Sequence, residues 1–444
     1  MRNKIYFITA LLSLGVISME LRGETIKFSN LDTSGVLSRE LNDITPAEGC
    51  LKLYDLEFPA FSKGVINRAR ICSWTSGYLT GPSTFSSFDQ FRSLDYNDVQ
   101  DNRFLYAFDN GYYLLLKLDN GRYLAVLPLV SDDVMASITI YEGTPRLKLC
   151  TFGTDTFSGD ASLFTWAFAA DPYSATQKCW EHALASDFCK DNVQLRSEKE
   201  YPELYEYLGW CTWEAFGENI NEANVIRSIN EIKQSPVPVR WVIVDDGYLN
   251  NKYPGGKEKP QIRSFGANNK FPNGWNPITS LKDDASVKWI GIWRNMSGGM
   301  GGVSPDHTMT NLTDHLMQKT ACKCSGPQRE VQEEVSMIVK PDTASSAAFY
   351  EAMIGNTLDG GFDFVKVDFQ TYNFWMYAGT GNAVNSAHQN NQALETVCKT
   401  HGIPLLNCIS QCNVNVFNSK RPSRHPCKAS RVAFHTAGVK CFAV

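Results

Sequence analysis

Apolar and polar positions follow two rhythms along this chain, and the rhythm changes near residue 200. From about residue 50 to 170, short apolar runs alternate with turn formers. Asp109-Asn110-Gly111 and Asp119-Asn120-Gly121 are both hairpin signals, because Asn-Gly accepts the positive φ that tight turns require. They divide Arg103–Phe108, Tyr112–Leu118 and Arg122–Val130 into a predicted meander. Met135–Glu142, Arg146–Phe152 and Ser162–Ala169 continue as strands, and the series predicts a β-sandwich over residues 24–170. Asp171–Asp187 carries Ala175, Cys179, Trp180, Ala183 and Leu184 at helical spacing, so 171–200 reads as a helical linker.

From residue 201 the pattern becomes strand, helix, strand. Leu208–Trp213, Arg240–Val244, Val287–Trp293, Phe362–Phe369 and Pro404–Ile409 are apolar enough for buried parallel strands. Asn221–Gln234, Ala344–Leu358 and Asn390–His401 are predicted helices between them. The alternation predicts a parallel (β/α) barrel over 201–419, of which about five units are present. Two polar excursions, Asn250–Asp284 and Met296–Pro341, interrupt it as long βα loops. Gly298-Gly299-Met300-Gly301-Gly302 lacks the lysine of a phosphate-binding loop and reads as a flexible loop.

Composition narrows the function classes. The 444 residues are 43% hydrophobic and 20% charged, an ordinary globular balance. A net charge of −5 gives no electrostatic reason to expect nucleic acid or an anionic membrane. At the N-terminus, Arg2 and Lys4 precede an apolar run from Ile5 to Met19, then a polar stretch with Gly23. Residues 1–23 read as a secretory leader, so the chain is expected to be exported, periplasmic or secreted, without stable membrane insertion. The 13 cysteines are scattered, and Cys211, Cys398 and Cys408 sit in apolar runs as buried thiols. Cys322-Lys323-Cys324 has no further ligands at zinc spacing, so no metal is expected, and no organic cofactor is implied.

Candidate chemistry collects at the predicted strand ends, where parallel barrels place their active sites. Lys366 and Asp368 alternate with apolar residues, so they share one face of their strand. A lysine beside a carboxylate favours its ionised form, as a glycosidase nucleophile requires. A strand-end ion pair explains the same two residues equally well. Trp213 and Trp293 stand at two other strand ends, as platforms or as core. Asp245-Asp246 closes a fourth, as a turn, half a divalent-metal site or a pair of hydroxyl acceptors.

Taken together, Leu208-Gly209-Trp210-Cys211-Thr212-Trp213-Glu214-Ala215-Phe216, Val242-Ile243-Val244-Asp245-Asp246-Gly247-Tyr248, Gly301-Gly302-Val303-Ser304-Pro305 and Val365-Lys366-Val367-Asp368-Phe369-Gln370 resemble the raffinose synthase, seed-imbibition protein and alkaline α-galactosidase family. That family is a branch of the retaining α-galactosidases. The resemblance is dense from about 204 to 419 and fainter before it. It implies a β-sandwich followed by a (β/α)8 (TIM) barrel, and transfer of α-galactosyl groups to water or to another sugar. By position, it implies that Asp368 is the nucleophile and that Lys366 contacts the galactose ring. Asp245 and Asp246 would hold its 4- and 6-hydroxyls, Trp213 and Trp293 would wall the pocket, and Cys408 would line it. The expected partner is an α-galactoside oligosaccharide of the raffinose type.

Two departures stand against this. Met300 replaces the aromatic residue that the family has before its glycine pair. From Thr396 to Val444 there is no Asp or Glu, against seven Lys or Arg. The family's second carboxyl, the acid/base, is expected after the fifth strand, where this chain reads Arg421-Pro422-Ser423-Arg424-His425-Pro426-Cys427. No acid/base is identifiable there, and His425 and His435 read as surface residues. The expectation is a truncated chain with an incomplete barrel, whose tail over 420–444 was not selected to fold.

Overall fold

The computed structural model describes residues 22–47, 49–70, 78–94, 109–141, 143–187, 189, 193, 201–253, 260–323, 332–410, 413–417 and 431–432. The expected leader lies outside these residues up to position 21, as do Arg103–Phe108, Arg421–Cys427 and His435. The chain divides into two compact units. One runs to Val193 and adds Tyr377–His388 and Gln411–Asn418; the other comprises Gln194–Met376, Gln389–Ser410 and Ser419–Val444.

The first unit is built on β1 (Arg22–Lys27), β2 (Ser34–Ile44), β3 (Cys50–Glu57), β4 (Phe61–Arg70), β5 (Tyr78–Phe85), β6 (Asp109–Leu118), β7 (Tyr123–Pro128), β8 (Met135–Tyr141), β9 (Thr144–Cys150) and β10 (Phe157–Ala169). These strands join in one mixed sheet of order β1-β3-β9-β8-β6-β7-β10-β2, with β4 paired to both β5 and β6. Only the β1–β3 pairing is parallel among those described. Alternate residues Leu114, Leu116 and Leu118 of β6 meet Leu124 and Val126 of β7 in the core. The helix Pro172–Ala185 is capped by Asp171, whose side chain accepts from Ser174 N–H at 2.9 Å. It buries Ala175, Cys179 and Ala183. Thr165 Oγ1 donates to Cys179 O at 3.0 Å, fastening this helix to β10.

One predicted turn is real and the other is not. Asp119–Gly121 reverses the chain between β6 and β7, with Gly121 at φ +83° and Leu118 N donating to Arg122 O at 2.8 Å. Asp109–Gly111 instead lies within β6, pairing with Arg68, Ala69 and Arg70 of β4. Gly111 is there for close packing. A Cβ on it would lie 2.5 Å from Ile66 Cδ1 and 2.9 Å from Ile138 O. The local sequence could not reveal this, because both neighbours are remote in the chain.

The second unit carries a parallel sheet of β11 (Leu208–Cys211), β12 (Val239–Val244), β15 (Trp289–Asn295), β18 (Phe364–Asp368), β19 (Leu405–Asn407) and β20 (Arg431–Val432), in that order. With its helices it forms a parallel half-barrel. The expected five strands are all present, and the two-residue β20 adds a sixth. Helix Glu222–Gln234 is capped by Asn221 and buries Val225 and Ile229. Helix Thr343–Asp359 is capped by Asp342 and buries Phe349, Tyr350, Met353 and Ile354. The third predicted helix begins seven residues earlier than expected, at Ala383.

The excursions are not irregular throughout. They contain two antiparallel ribbons, β13 (Leu249–Lys252) with β14 (Gln261–Ala267), and β16 (Leu316–Lys323) with β17 (Gln332–Val339). The glycine segment is laced to them: Gly301 N donates to Pro260 O at 2.9 Å, and Ile262 N donates to Gly302 O at 3.1 Å. Its backbone bonds make it a fixed part of the unit rather than the flexible loop its composition suggested.

Candidate active site

The parallel registers align the strand ends. In β15–β18, Trp293 stands beside Lys366 and Asn295 beside Asp368. Alternation puts Trp293 and Asn295 on one face of β15, and Lys366 and Asp368 on the same face of β18. Arg294 points the opposite way. It is buried, donating to Thr357 Oγ1, Phe265 O and Asn356 Oδ1 at 3.1, 2.7 and 2.8 Å.

Asp368 is held at both oxygens. Trp293 Nε1–H donates to Oδ2 at 3.0 Å, and Phe369 N–H donates to Oδ1 at 2.7 Å. Phe369 has φ +56°, so the chain leaves the strand immediately after Asp368. Lys366 Nζ lies 4.0 Å from Asp368 Oδ2 but 2.7 Å from Asp245 Oδ2. The lysine's main partner is therefore Asp245, not the neighbour two residues on. Burial pulls the Lys366 ammonium down, but Asp245 and Asp368, with the sulfurs of Cys408 and Cys211, outweigh it and hold it well above the usual lysine value.

The β12 end is equally constrained. Asp245 N–H donates to Thr212 Oγ1 at 2.9 Å, and Cys211 Sγ donates to Asp245 Oδ2 at 3.1 Å. Asp246 N–H donates to Asp245 Oδ1, and Gly247 N–H to Asp246 Oδ1, at 3.0 and 2.6 Å. Burial pushes Asp246 up to about 7; the Gly247 bond opposes this, while Glu218, Asp245 and Asp368 add to it. Cys408, after β19, donates its N–H to Val367 O at 2.9 Å. Burial and the Asp368 carboxylate push its thiol up, and burial first, then Asp245, pushes Cys211 up to about 12. Both are protonated thiols near neutrality, so neither is an activated nucleophile.

Six of the seven residues singled out by sequence thus meet: Asp245, Asp246, Trp293, Lys366, Asp368 and Cys408. Trp213 is placed differently. The strand ends at Cys211, and Trp213 opens a short helix, Trp213–Phe216, with 42% of its surface exposed. Its backbone N–H bonds the Cys211 sulfur at the edge of the cluster. Next to Asp246, a polar cavity of about 550 Å³ is lined by Glu218, Gly247, Asn250, Asn251, Tyr253 and Lys270, among others.

Sequence reasoning missed Asn295. It is 1% exposed, and its Oδ1 accepts from Ser297 N–H at 2.9 Å. Among the described residues, its Nδ2 is buried with no hydrogen-bond partner. The period-two rule that joined Lys366 to Asp368 would have joined Trp293 to Asn295. Thr212, whose hydroxyl fixes the Asp245 backbone, carried no signal, since Thr is common in apolar runs.

A buried lysine–carboxylate cluster at the carboxyl ends of a parallel sheet defines an enzyme-like site in a (β/α) protein. The chain belongs to the raffinose synthase or seed imbibition protein Sip1 family, whose model matches residues 116–425. It is 24% identical over 372 residues to the probable galactinol–sucrose galactosyltransferase 1 of Arabidopsis thaliana, covering 71% of this chain and 48% of that one. It is 25% identical over 281 residues to the probable galactinol–sucrose galactosyltransferase 6 of the same plant, covering 55% and 37%. The chain therefore spans about half or less of these curated relatives. Among solved structures, the Thermus thermophilus α-galactosidase TtGalA aligns over 86% of this chain and 71% of its own, at 15% identity and a TM-score of 0.49. No helix among the described residues is long and apolar enough to cross a membrane.

Proposed function

We propose that this chain is a retaining α-galactoside-processing enzyme, first of all a glycoside hydrolase acting on raffinose-type oligosaccharides, with Asp368 as its nucleophile. The observation that carries the proposal is the double clamp on Asp368. Trp293 Nε1–H and Phe369 N–H fix its oxygens at 3.0 and 2.7 Å, while Lys366 stands 4.0 Å away and is committed to Asp245. A carboxylate so held has one orientation, which lowers the entropic cost of attack.

In the first step an Asp368 oxygen bonds to the anomeric carbon as the glycosidic C–O bond breaks. The departing oxygen takes its electron pair, and with no acid assigned its proton is drawn from solvent. In the second step water adds at the same carbon and gives up a proton to solvent, the ester bond breaks, and Asp368 leaves as carboxylate. Asp245, Asp246 and Lys366 bind galactose hydroxyls, Trp293 and Trp213 cover its C–H faces, and Cys408 lines the pocket. No residue of this chain is assigned as the acid that protonates the leaving group. Galactosyl transfer, with a sugar hydroxyl replacing water, is the alternative favoured by the names of the plant relatives. A non-catalytic remnant is favoured by the lack of Asp and Glu after Thr396.

The same proposal takes the ten-stranded sheet as a β-sandwich over 24–170 and the half-barrel over 201–419 as the first part of a (β/α)8 barrel. It also takes the chain as exported, on its N-terminal pattern alone. The decisive experiment uses 2-deoxy-2-fluoro-α-galactosyl fluoride, whose leaving group needs no protonation. A galactosyl adduct on the peptide containing Asp368, absent in Asp368→Ala, is expected by mass spectrometry. A folded protein that takes no label there overturns the assignment. Galactose release against new oligosaccharide from raffinose then separates hydrolysis from transfer.

A further inference from the structure

In the first unit, Cys50 of β3 faces Cys150 of β9 in antiparallel register. The next rung, Gly49 with Thr151, is the hydrogen-bonded one: Thr151 N–H donates to Gly49 O at 2.9 Å. Cys50 spends its own N–H and C=O on Ala47, both at 2.9 Å. Cys50–Cys150 is therefore a non-hydrogen-bonded rung, where opposite Cα atoms come within about 4.5 Å and side chains lie closest. That spacing falls inside the disulfide range of roughly 4.4–6.8 Å. The chains are also unusually close here, since a Cβ on Gly49 would lie 2.5 Å from Phe152 Cα. The two thiols are hydrogen-bonded to one another and both are fully buried. The bond to Cys150 and burial push the Cys50 thiol well up, whereas at Cys150 burial is outweighed by the bond to Cys50 and by Lys148, two residues before it on the same face of β9, so Cys150 is the sulfur held below its usual value.

We propose that Cys50 and Cys150 are a thiol pair built to close as a disulfide, clamping β3 to β9. The reaction is thiol–disulfide exchange with a small-molecule disulfide or a disulfide-bearing oxidoreductase. One protein thiolate attacks the external disulfide, forming a mixed disulfide and releasing the first external thiolate. The second cysteine attacks the protein-bound sulfur of that mixed disulfide, forming the Cys50–Cys150 bond and expelling the second thiolate. Two electrons pass to the external disulfide, and the two protons leave with its two thiols. Of the other cysteines whose backbone is described, Cys211 stands opposite Ile243 and Cys322 opposite Glu333 in their ladders, and Cys179, Cys189, Cys398 and Cys408 lie outside the strands. The bond would close a loop of about 100 residues, a length at which cross-linking removes much unfolded-state entropy.

The test is non-reducing peptide mapping of the full chain, folded with oxidised glutathione and alkylated before digestion. A linked peptide pair containing Cys50 and Cys150 is expected, and it should vanish under dithiothreitol. The oxidised wild type should melt several degrees above its reduced form, whereas Cys50→Ser and Cys150→Ser should show no shift. The proposal fails if both cysteines are alkylated in the oxidised protein, or if either pairs with another cysteine instead. The mapping needs only the wild type, so a variant that does not fold leaves the test intact.

Discussion

Lys366 and Asp245 are joined across the sheet. The lysine Nζ lies 2.7 Å from Asp245 Oδ2, spanning β18 to β12 over the intervening β15. Their side chains are 11% and 3% exposed, so neither charge is paid for by water. Asp368, at 4.0 Å, is the lysine's second contact. The pair thus fixes Lys366 as a strut between two strand ends, and it leaves the Asp368 oxygens to Trp293 and Phe369.

Lys366→Met should therefore strip the buried Asp245 carboxylate of its partner. A loss of about 3–5 kcal/mol of stability is expected. Urea unfolding of wild type and variant measures it. A difference under ~1 kcal/mol would mean the pair is solvated in solution.

Trp293→Phe keeps an aromatic ring but removes the N–H that donates to Asp368. Hydrogen bonds to a charged group contribute about 1.5–3 kcal/mol, so kcat/KM on an aryl α-galactoside should fall roughly 10- to 150-fold. Unchanged kinetics in a folded variant would show that the indole does not orient the carboxylate.

Asp246 gives a pH signature. Its folded value is raised to about 7, against an ordinary value near 4. Between those limits the folded state holds a proton that the unfolded state has released. Stability from this group is therefore present at low pH and declines as pH rises toward 7, by up to about 1.4 kcal/mol per unit. Asp246→Asn should flatten that slope between pH 4.5 and 7.5. Equal slopes in the two proteins would place Asp246 in water.

Among the described residues, Asn295 Nδ2 is a buried donor with no hydrogen-bond partner. Asn295→Ala removes that donor together with the Oδ1 that accepts from Ser297 N–H, so stability should fall by about 1–3 kcal/mol. If the amide meets a substrate hydroxyl, KM should rise by about tenfold. Melting and KM measured on the same preparation decide it: a large stability loss with unaltered KM assigns Asn295 to the strand-end turn alone.

The two Asp-Asn-Gly motifs can be told apart by alanine. Gly111→Ala pushes a methyl against Ile66 and the Ile138 carbonyl and should cost about 1–3 kcal/mol. Gly121 has open space around it, and its φ of +83° should limit the cost to about 1 kcal/mol. Equal losses at both sites would contradict the strand assignment of Asp109–Gly111.

Those motifs also show how far local reading reaches. The same three residues make a turn at 119–121 and a strand segment at 109–111, because β4 and β8 pack on the second and not on the first. Caps were legible for the opposite reason. Asn221, at the expected helix start, and Asp171 each use their own side chains on a backbone N–H three residues ahead, an interaction contained in the sequence. The ribbons β13–β14 and β16–β17 were hidden by the polar, Gly and Pro residues around them, although Leu249, Ile262, Phe265, Leu316, Ile338 and Val339 are buried, because so few apolar positions per strand make no clear period.

By itself the sequence determined the parallel strands, the helices between them and the shared face of Lys366 and Asp368, because apolar periodicity and strand alternation act within a few residues. Only tertiary structure decided that Lys366 serves Asp245 first, that Asn295 stands beside Asp368, that Trp213 lies on an exposed helix, and that Cys50 meets Cys150. Each of those depends on inter-strand register or on where a strand stops, and both are set by residues far away in the chain.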